Sequence, residues 1–182
     1  VSLSLIVLTM HRIESETSFH NTVKVVEFPH SGKFGYLLNV IYLNQFITTE
    51  KFDVVNVFYA SGYGILVSIS KLKDYFLSVW GSDVLVFPNK SFIHKWLIKY
   101  SLNRAGKLFT TSDILTEKVT ELAPKKISIQ IPYGLDLNLF DVSKYDSKAS
   151  NVIMIGSHKG YKQIYGYDIL LKAYDLLLKD LS

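Results

Sequence analysis

Cysteine is absent from the sequence and arginine nearly so, with only two arginines among the 20 basic residues. Without cysteine the protein has no disulfide framework, no zinc–thiolate site and no cysteine nucleophile, which is compatible with a reducing cytoplasm. The sequence also contains no arginine-rich tract and no recognised nucleic-acid-binding motif. We therefore expect a cytoplasmic protein without a nucleic-acid partner.

Long apolar runs are missing as well. No run approaches the ~20 residues that a transmembrane helix needs. The segment "SLSLIVLTM" near the start lacks the basic leader of a signal peptide and is more typical of a buried strand. The net charge of +4 and the pI of about 9.0 favour anionic partners, such as phosphorylated ligands or a lipid surface.

Short apolar runs alternate with segments of helical period. The predicted strands are residues 3–9, 23–28, 53–59, 75–80, 107–111, 127–132 and 151–155. The predicted helices are residues 35–49, 62–72, 92–105, 112–122 and 167–181, with Ser112 as an N-cap. Strands separated by such helices predict a parallel sheet, and nearly continuous apolar strands predict that both faces of the sheet are covered. The predicted class is α/β, a Rossmann-like parallel sheet with helices on both faces.

The stretch "YFLSVWGSDVLVFP" places Gly81, Ser82 and Asp83 directly after an apolar run that ends in Trp80. Two interpretations are open. In one, Asp83 caps a turn or a helix through its side chain, as aspartates in turns commonly do. In the other, the three residues belong to a ligand site, because parallel α/β sheets bind ligands at the carboxyl ends of their strands.

Four segments in order, the first of them made of two stretches, resemble the retaining, GT-B type glycosyltransferases of family four. "FDVVNVFYASGYG" and "SVWGSDVLVFP" are similar to that family's "pDvvh.H" strand and "HGsD" turn. "AGKLFTTSDILTEKV" is similar to its "ad.vit.S..l.e.l" unit, and "IPYGLDLNLF" to its "vpNGvDxxxF" segment. "VIMIGSHKGYKQIYGYDILLKAYDLL" resembles its "vGRLxxxKGxdxLlxAxxxL" strand, loop and helix.

The resemblance implies two Rossmann-like domains facing a cleft, with the acceptor mainly on the first and the nucleotide-sugar donor mainly on the second. It implies that residues 1–125 form the acceptor-side domain, that residues 126–150 form a connecting strand and linker, and that residues 151–182 begin a donor-binding domain. The implied reaction transfers a sugar from a UDP- or GDP-type donor to a glycan or lipid-linked acceptor, as in polysaccharide biosynthesis, with retention of configuration. It needs no metal in the active site and no cofactor.

The resemblance also assigns the candidate site residues. Asp83 is the candidate catalytic residue, orienting the acceptor, with Gly81 and Ser82 on the acceptor side because they let the backbone approach a ligand closely. The candidate donor-binding residues are Gly134, Gly156, Ser157, Lys159 and Lys162. A glycine loop before a helix, with lysines nearby, can supply N–H groups and positive charge to a diphosphate.

The sequence departs from the family pattern at several positions. The first strand of the family has no counterpart ahead of Val1, so residues 3–9 are expected to be its second strand. Trp80 replaces the family histidine before Gly-Ser-Asp, and Ser157 and Tyr165 replace an arginine and a lysine. Since the far half of the donor domain has no counterpart either, we expect this chain alone to be inactive. The alternatives are a non-catalytic, truncated or degenerate binding protein of this fold, or a nucleotide-sugar epimerase.

Two helical segments suggest further contacts. "SFIHKWLIKYSLNRAGK" sets lysines among aromatic and aliphatic residues, a pattern that can lie on an anionic membrane and would suit a lipid-linked acceptor. The alternative is a surface helix whose polar side is basic. The last predicted helix has an apolar face, which predicts packing against the first domain or across a homodimer. The residues of this face are Ile169, Leu170, Ala173, Leu176 and Leu177.

Overall fold

The computed structural model describes residues 4–12, 21–141 and 165–180. The chain divides into two compact units, Val1–Leu135 and Asp136–Ser182. The predicted strand 151–155 lies outside the described residues, as do Gly156, Ser157, Lys159 and Lys162. Each unit is described by itself below.

The described residues of the first unit form two parallel sheets. The first sheet pairs β1 (Leu5–Thr9) with β2 (Val23–Glu27), in the register Leu5 to Val23. The second sheet has the order β3-β4-β5-β6, and all of its pairs are parallel. Its strands are β3 (Asn56–Phe58), β4 (Phe76–Ser78), β5 (Lys107–Thr110) and β6 (Ser128–Gln130).

Helices separate most of the strands and cover both sides of the sheets, so the predicted α/β class is confirmed. In the first unit they are α1 (Gly32–Thr49), α2 (Tyr63–Ser68), α3 (Ser82–Leu85), α4 (Phe92–Arg104) and α5 (Asp113–Leu122), with a 3₁₀ helix at Phe87–Lys90. In the second unit the described helix is α6 (Tyr167–Asp180). This α/β architecture is consistent with the N-terminal half of a GT-B fold, which the sequence resemblance implies.

The core of the first unit lies between the four-stranded sheet and its helices. The apolar side chains without exposed surface are Ala60, Leu66, Leu77, Val79, Val84, Ile98, Leu102, Leu108, Val119 and Ala123. Burying one large aliphatic side chain contributes about 1.5–3 kcal/mol. The central strands β4 and β5 supply Leu77 and Leu108, which agrees with the near-continuous apolar runs of the sequence.

The two sheets are connected through Tyr63, at the start of α2. Its hydroxyl accepts a hydrogen bond from the N–H of Met10 at 2.8 Å and lies 3.4 Å from Oγ1 of Thr9. Its ring stacks on Phe28, which follows β2, with 6.5 Å between the ring centroids. The carboxyl end of the first sheet is therefore fixed to the helix that follows β3.

The predicted element boundaries need correction in several places. The strand predicted at 53–59 is shorter in the structure and comprises only β3, residues 56–58. Before it, Val54 is 65% exposed, and after it, Tyr59 has a φ of 74°, which is outside the extended region. The helix predicted at 62–72 ends at Ser68. Residues 82–85 and 87–90, which were not predicted to be helical, form α3 and the 3₁₀ helix.

The helix starts differ in how they are capped. Ser112 lies at the N-cap of α5 as predicted, but its side chain makes no capping hydrogen bond in the described structure. Ser91 caps α4 instead: its Oγ accepts from the N–H of His94 at 3.4 Å and lies 2.7 Å from Nδ1 of the same residue. His94 therefore helps to fix the start of α4.

Candidate functional site

The carboxylate of Asp83 joins the loop after β3 to the loop after β4. The side chain is in the first turn of α3, and the residue is 1% exposed. Its Oδ2 accepts a hydrogen bond from the N–H of Ala60 at 2.8 Å, and its Oδ1 accepts from Gly81 at 2.8 Å and Trp80 at 3.1 Å. Hydrogen bonds to a carboxylate are stronger than those between neutral groups. Both oxygens thus bind backbone, as the capping interpretation requires, and direct contact of Asp83 with an acceptor stays a prediction.

Gly81 and Ser82 form the turn between β4 and α3. Gly81 has a φ of 129°, a conformation that is essentially reserved for glycine, and a Cβ built on it would meet nothing within 4 Å. Glycine is therefore required here by the backbone rather than by crowding. Ser82 is exposed, and its Oγ lies 3.2 Å from the hydroxyl of Tyr59.

Tyr59 has a strained backbone at the carboxyl end of β3. Its φ of 74° is unusual for a bulky residue. The conformation is fixed from both sides, because the N–H of Tyr59 donates to the carbonyl of Ser78 at 3.0 Å and its carbonyl accepts from Gly64 at 2.8 Å. A Cβ on Gly64 would lie 2.8 Å from this carbonyl oxygen, so only glycine allows the approach.

Four exposed aromatic rings meet beside this turn, and we refer to Phe58, Tyr59, Trp80 and Tyr133 as the aromatic platform. The indole of Trp80 is central, with ring centroids 5.7 Å from Phe58, 6.0 Å from Tyr59 and 5.7 Å from Tyr133. The rings come from β3, from the loops after β3 and β4, and from the segment after β6. Each residue is more than a third exposed. The carboxyl edge of the sheet therefore presents a continuous aromatic surface.

A family model described as glycosyl transferase 4-like matches residues 2–112. The chain belongs to this family. The match covers β1 to β5 and includes the Gly81–Asp83 turn and three members of the aromatic platform. No curated protein matches the chain. The resemblance read from the sequence is thus confirmed at the level of the family.

For a glycosyl transferase 4-like chain, the position of the platform at the carboxyl ends of the strands is where an α/β sheet binds its ligands. Gly134 lies at the same edge, directly after Tyr133, and a Cβ on it would meet nothing within 4 Å. Its predicted role in donor binding stays a prediction.

Two open clefts of the described structure lie away from the platform. One, of about 460 Å³, is lined by Met10, His11, Arg12, Ser31, Gly32, Lys33 and Tyr36. The other, of about 590 Å³, is lined by Ile47, Glu50, Lys51, Phe52, Asp53, Val55, Leu72, Lys73 and Asp74. Within the part of the chain that the structure describes, no cluster of His, Asp and Glu side chains could hold a metal ion. In the same part, no helix is long and apolar enough to cross a membrane.

The residues of the platform were not predicted as site residues. Phe58 in β3 and Tyr133 after β6 are far apart in sequence, and the parallel order of the sheet brings both to the ring of Trp80. The available signal was their position, since each aromatic residue lies at or just beyond the end of a predicted strand.

Proposed function

We propose that the chain is the acceptor-side part of a retaining glycosyltransferase that uses a UDP- or GDP-linked sugar and a glycan or lipid-linked acceptor. Membership of the glycosyl transferase 4-like family supports transferase chemistry in general. The observation that carries the proposal is the aromatic platform, supported by the buried Asp83, at the carboxyl edge of β3 to β6. Nothing in this arrangement requires a cofactor.

In the proposed reaction a hydroxyl oxygen of the acceptor forms a bond to the anomeric carbon of the donor sugar. The bond between that carbon and the diphosphate oxygen breaks, the nucleoside diphosphate leaves with the electron pair, and the acceptor proton passes to it. The protein contributes by holding the two substrates in reacting geometry and by stabilising negative charge on the departing phosphate.

Asp83 acts in this proposal as a positioning residue. A carboxylate that orients an acceptor directly needs an accessible oxygen, whereas Asp83 is buried and binds the N–H groups of Ala60, Gly81 and Trp80. These bonds hold the loops that carry Tyr59 and Trp80. We therefore expect Asp83 to act on the acceptor through the shape of the platform.

We further propose that Gly134, Gly156, Ser157, Lys159 and Lys162 contribute to binding of the donor diphosphate. The support is chemical: backbone N–H groups ahead of a helix and lysine side chains both attract a diphosphate. Calorimetry with UDP and GDP tests this assignment. Lys159→Ala and Lys162→Ala are expected to weaken nucleotide binding, and unchanged affinity in both variants would reject this assignment.

Helix α4 has a feature that supports contact with a membrane surface. Its outward side is not purely basic, since Phe92, Ile93 and Trp96 are 82%, 55% and 59% exposed. Exposed Lys95 and Lys99 lie beside them on the helix. Aromatic residues next to lysines favour the boundary of an anionic bilayer. We propose that α4 contacts the membrane that holds a lipid-linked acceptor.

Vesicle sedimentation tests this contact. The chain is expected to sediment with vesicles containing phosphatidylglycerol more than with pure phosphatidylcholine, and Phe92→Ser with Trp96→Ser is expected to remove most of the difference. Ile114→Ser is the matched control, because Ile114 is 66% exposed on α5. Equal sedimentation of the double variant and the wild type would reject α4 as the contact.

The proposed activity is tested by incubating UDP- and GDP-sugars with glycan acceptors and separating the products. We would assay the chain itself and the chain extended by any coding sequence that adjoins it in the gene. Acceptor-dependent transfer by the extended form, with the anomeric configuration of the donor, supports the proposal. Interconversion of donor sugars without acceptor would favour the epimerase alternative.

The non-catalytic alternative has support of its own in the platform, because binding of a glycan needs only an exposed surface of suitable chemistry. Glycan binding by both forms without any turnover of nucleotide sugars would favour it over transfer.

A further inference from the structure

We infer that the aromatic platform is a stacking site for a neutral pyranose ring, which the proposed function identifies as the terminal sugar of the acceptor. Only the assignment of this sugar to the acceptor rests on the proposed function. The sugar-binding surface itself follows from Phe58, Tyr59, Trp80 and Tyr133.

The rings of the aromatic platform are exposed to solvent. Aromatic side chains contribute most to stability when buried, yet Phe58 is 49%, Trp80 46% and Tyr133 62% exposed. The rings touch one another in edge and tilted arrangements, at interplanar angles from 35° to 88°. A contiguous exposed apolar surface of this kind marks a site of interaction.

Hydrogen bonds to the backbone of Tyr59 and Trp80 hold the platform rigidly. Tyr59 keeps its unfavourable φ because Ser78 and Gly64 bind its backbone, and Asp83 binds the N–H of Trp80. Such backbone strain persists where the surrounding structure enforces it, commonly at ligand sites. With this backbone conformation, the ring of Tyr59 lies 6.0 Å from that of Trp80, between ring centroids.

The charge and polarity of the groups around the platform suit a neutral sugar. The described structure places lysine over the rings of Phe87 and Phe76, and over none of the platform rings. Two neutral hydroxyls adjoin the platform, with Tyr59 Oη and Ser82 Oγ only 3.2 Å apart. An uncharged aromatic surface with hydroxyls at its rim suits a pyranose, which has an apolar C–H face and hydroxyls around its edge. It does not suit a diphosphate.

Saturation-transfer NMR on the full chain tests the inference with stated probes: methyl glucopyranoside, methyl galactopyranoside, methyl mannopyranoside and the disaccharide of N-acetylglucosamine. We expect at least one probe to receive saturation at its ring C–H protons. Trp80→Ala is expected to reduce this transfer at least fivefold. Trp96→Ala is the matched control, since Trp96 is an exposed tryptophan on α4, and it is expected to leave the transfer unchanged.

Tyr59→Gly separates binding from folding. Glycine adopts the φ of Tyr59 without strain, so removal of the ring is offset by relief of the backbone. We expect Tyr59→Gly to weaken sugar binding at least fivefold while the midpoint of thermal unfolding falls by less than about 3 °C. A structural role alone would lower the midpoint and leave the affinity for sugar unaffected.

The inference is overturned if no probe receives saturation, or if transfer is unchanged in both Trp80→Ala and Tyr59→Gly. Sugar binding that both variants lose, in a protein that turns over no nucleotide sugar, would retain the platform and reject the transferase. If both variants still transferred sugar from a nucleotide sugar to an acceptor, the transferase would be retained and the platform rejected as a sugar site.

Discussion

At the scale of one residue, the buried carboxylate of Asp83 holds two loops together through backbone hydrogen bonds. Its oxygens accept the N–H groups of Ala60, Gly81 and Trp80, and its burial leaves no water to replace those partners. In Asp83→Asn, one acceptor oxygen becomes an N–H₂ donor that faces backbone donors. We expect the free energy of unfolding to fall by about 2–3 kcal/mol in urea titrations.

Asp53→Asn provides the control, since Asp53 is an exposed aspartate in the same unit. It is expected to change the free energy of unfolding by less than about 0.5 kcal/mol. Equal stability of Asp83→Asn and the wild type would contradict the structural role of Asp83.

Tyr75 gives a prediction that depends on pH. Burial, partly opposed by the charge of Arg104, raises the pKa of Tyr75 from 10.0 to about 12, and its hydroxyl has no hydrogen-bond partner among the described residues. Between these pH values the unfolded chain loses this proton while the folded chain keeps it, so stability falls as pH rises. The loss amounts to about 1.4 kcal/mol per pH unit.

Tyr75→Phe removes this titration and an unpaired buried hydroxyl. We expect the variant to equal or exceed the wild type in stability at pH 8, and to lose less stability than the wild type when the pH is raised from 10 to 11. Tyr174→Phe, at a tyrosine that is 47% exposed, should retain the pH dependence of the wild type. Parallel pH profiles for Tyr75→Phe and the wild type would argue against the raised pKa.

At the scale of elements, the turn between β4 and α3 depends on one glycine. Gly81 and Gly134 both have open space where a Cβ would be, but only Gly81 has a positive φ, of 129°. Gly81→Ala is therefore expected to lower the free energy of unfolding by about 1–3 kcal/mol. Gly134→Ala should be neutral or slightly stabilising, because it restricts the unfolded chain. Similar denaturation curves for the two variants would show that backbone strain at Gly81 is small.

The sequence predicts the presence of the strands and helices more reliably than the residues at which they end. The apolar runs around Leu77 and Leu108 identified central strands because both faces of a parallel sheet are buried. The end of β3 could not be predicted in this way, since nothing local to Tyr59 favours a left-handed backbone, and the partners that enforce it are Ser78 and Gly64.

The site was predictable only in part for a similar reason. Small residues after a strand located the turn at Gly81 to Asp83, but the direction of the Asp83 side chain depends on Ala60 in another loop. The platform depends on strand order, because Tyr133 meets Trp80 only when β6 and β4 share one sheet. Residue types and spacing do not contain this information.

For the whole molecule, α6 raises the question of association. Its described side chains from Asp168 to Lys179 are all exposed, and they include Ile169, Leu170 and Leu177. An exposed apolar face on a helix favours contact with another surface. We expect light scattering to give a mass above the 20.7 kDa of one chain, and Leu170→Glu with Leu177→Glu to lower it. A wild type that is monomeric at high concentration would contradict self-association through α6.

We propose that the carboxyl edge of β3 to β6 holds the acceptor of a glycosyltransferase. The most direct test is mass-spectrometric analysis of products from UDP- and GDP-sugars with a glycan acceptor, using the chain extended by any adjoining coding sequence. We expect a lengthened acceptor that forms only when both substrates are present, and at least a tenfold lower yield in Tyr59→Gly. No lengthened acceptor, or an equal yield from Tyr59→Gly, would contradict it.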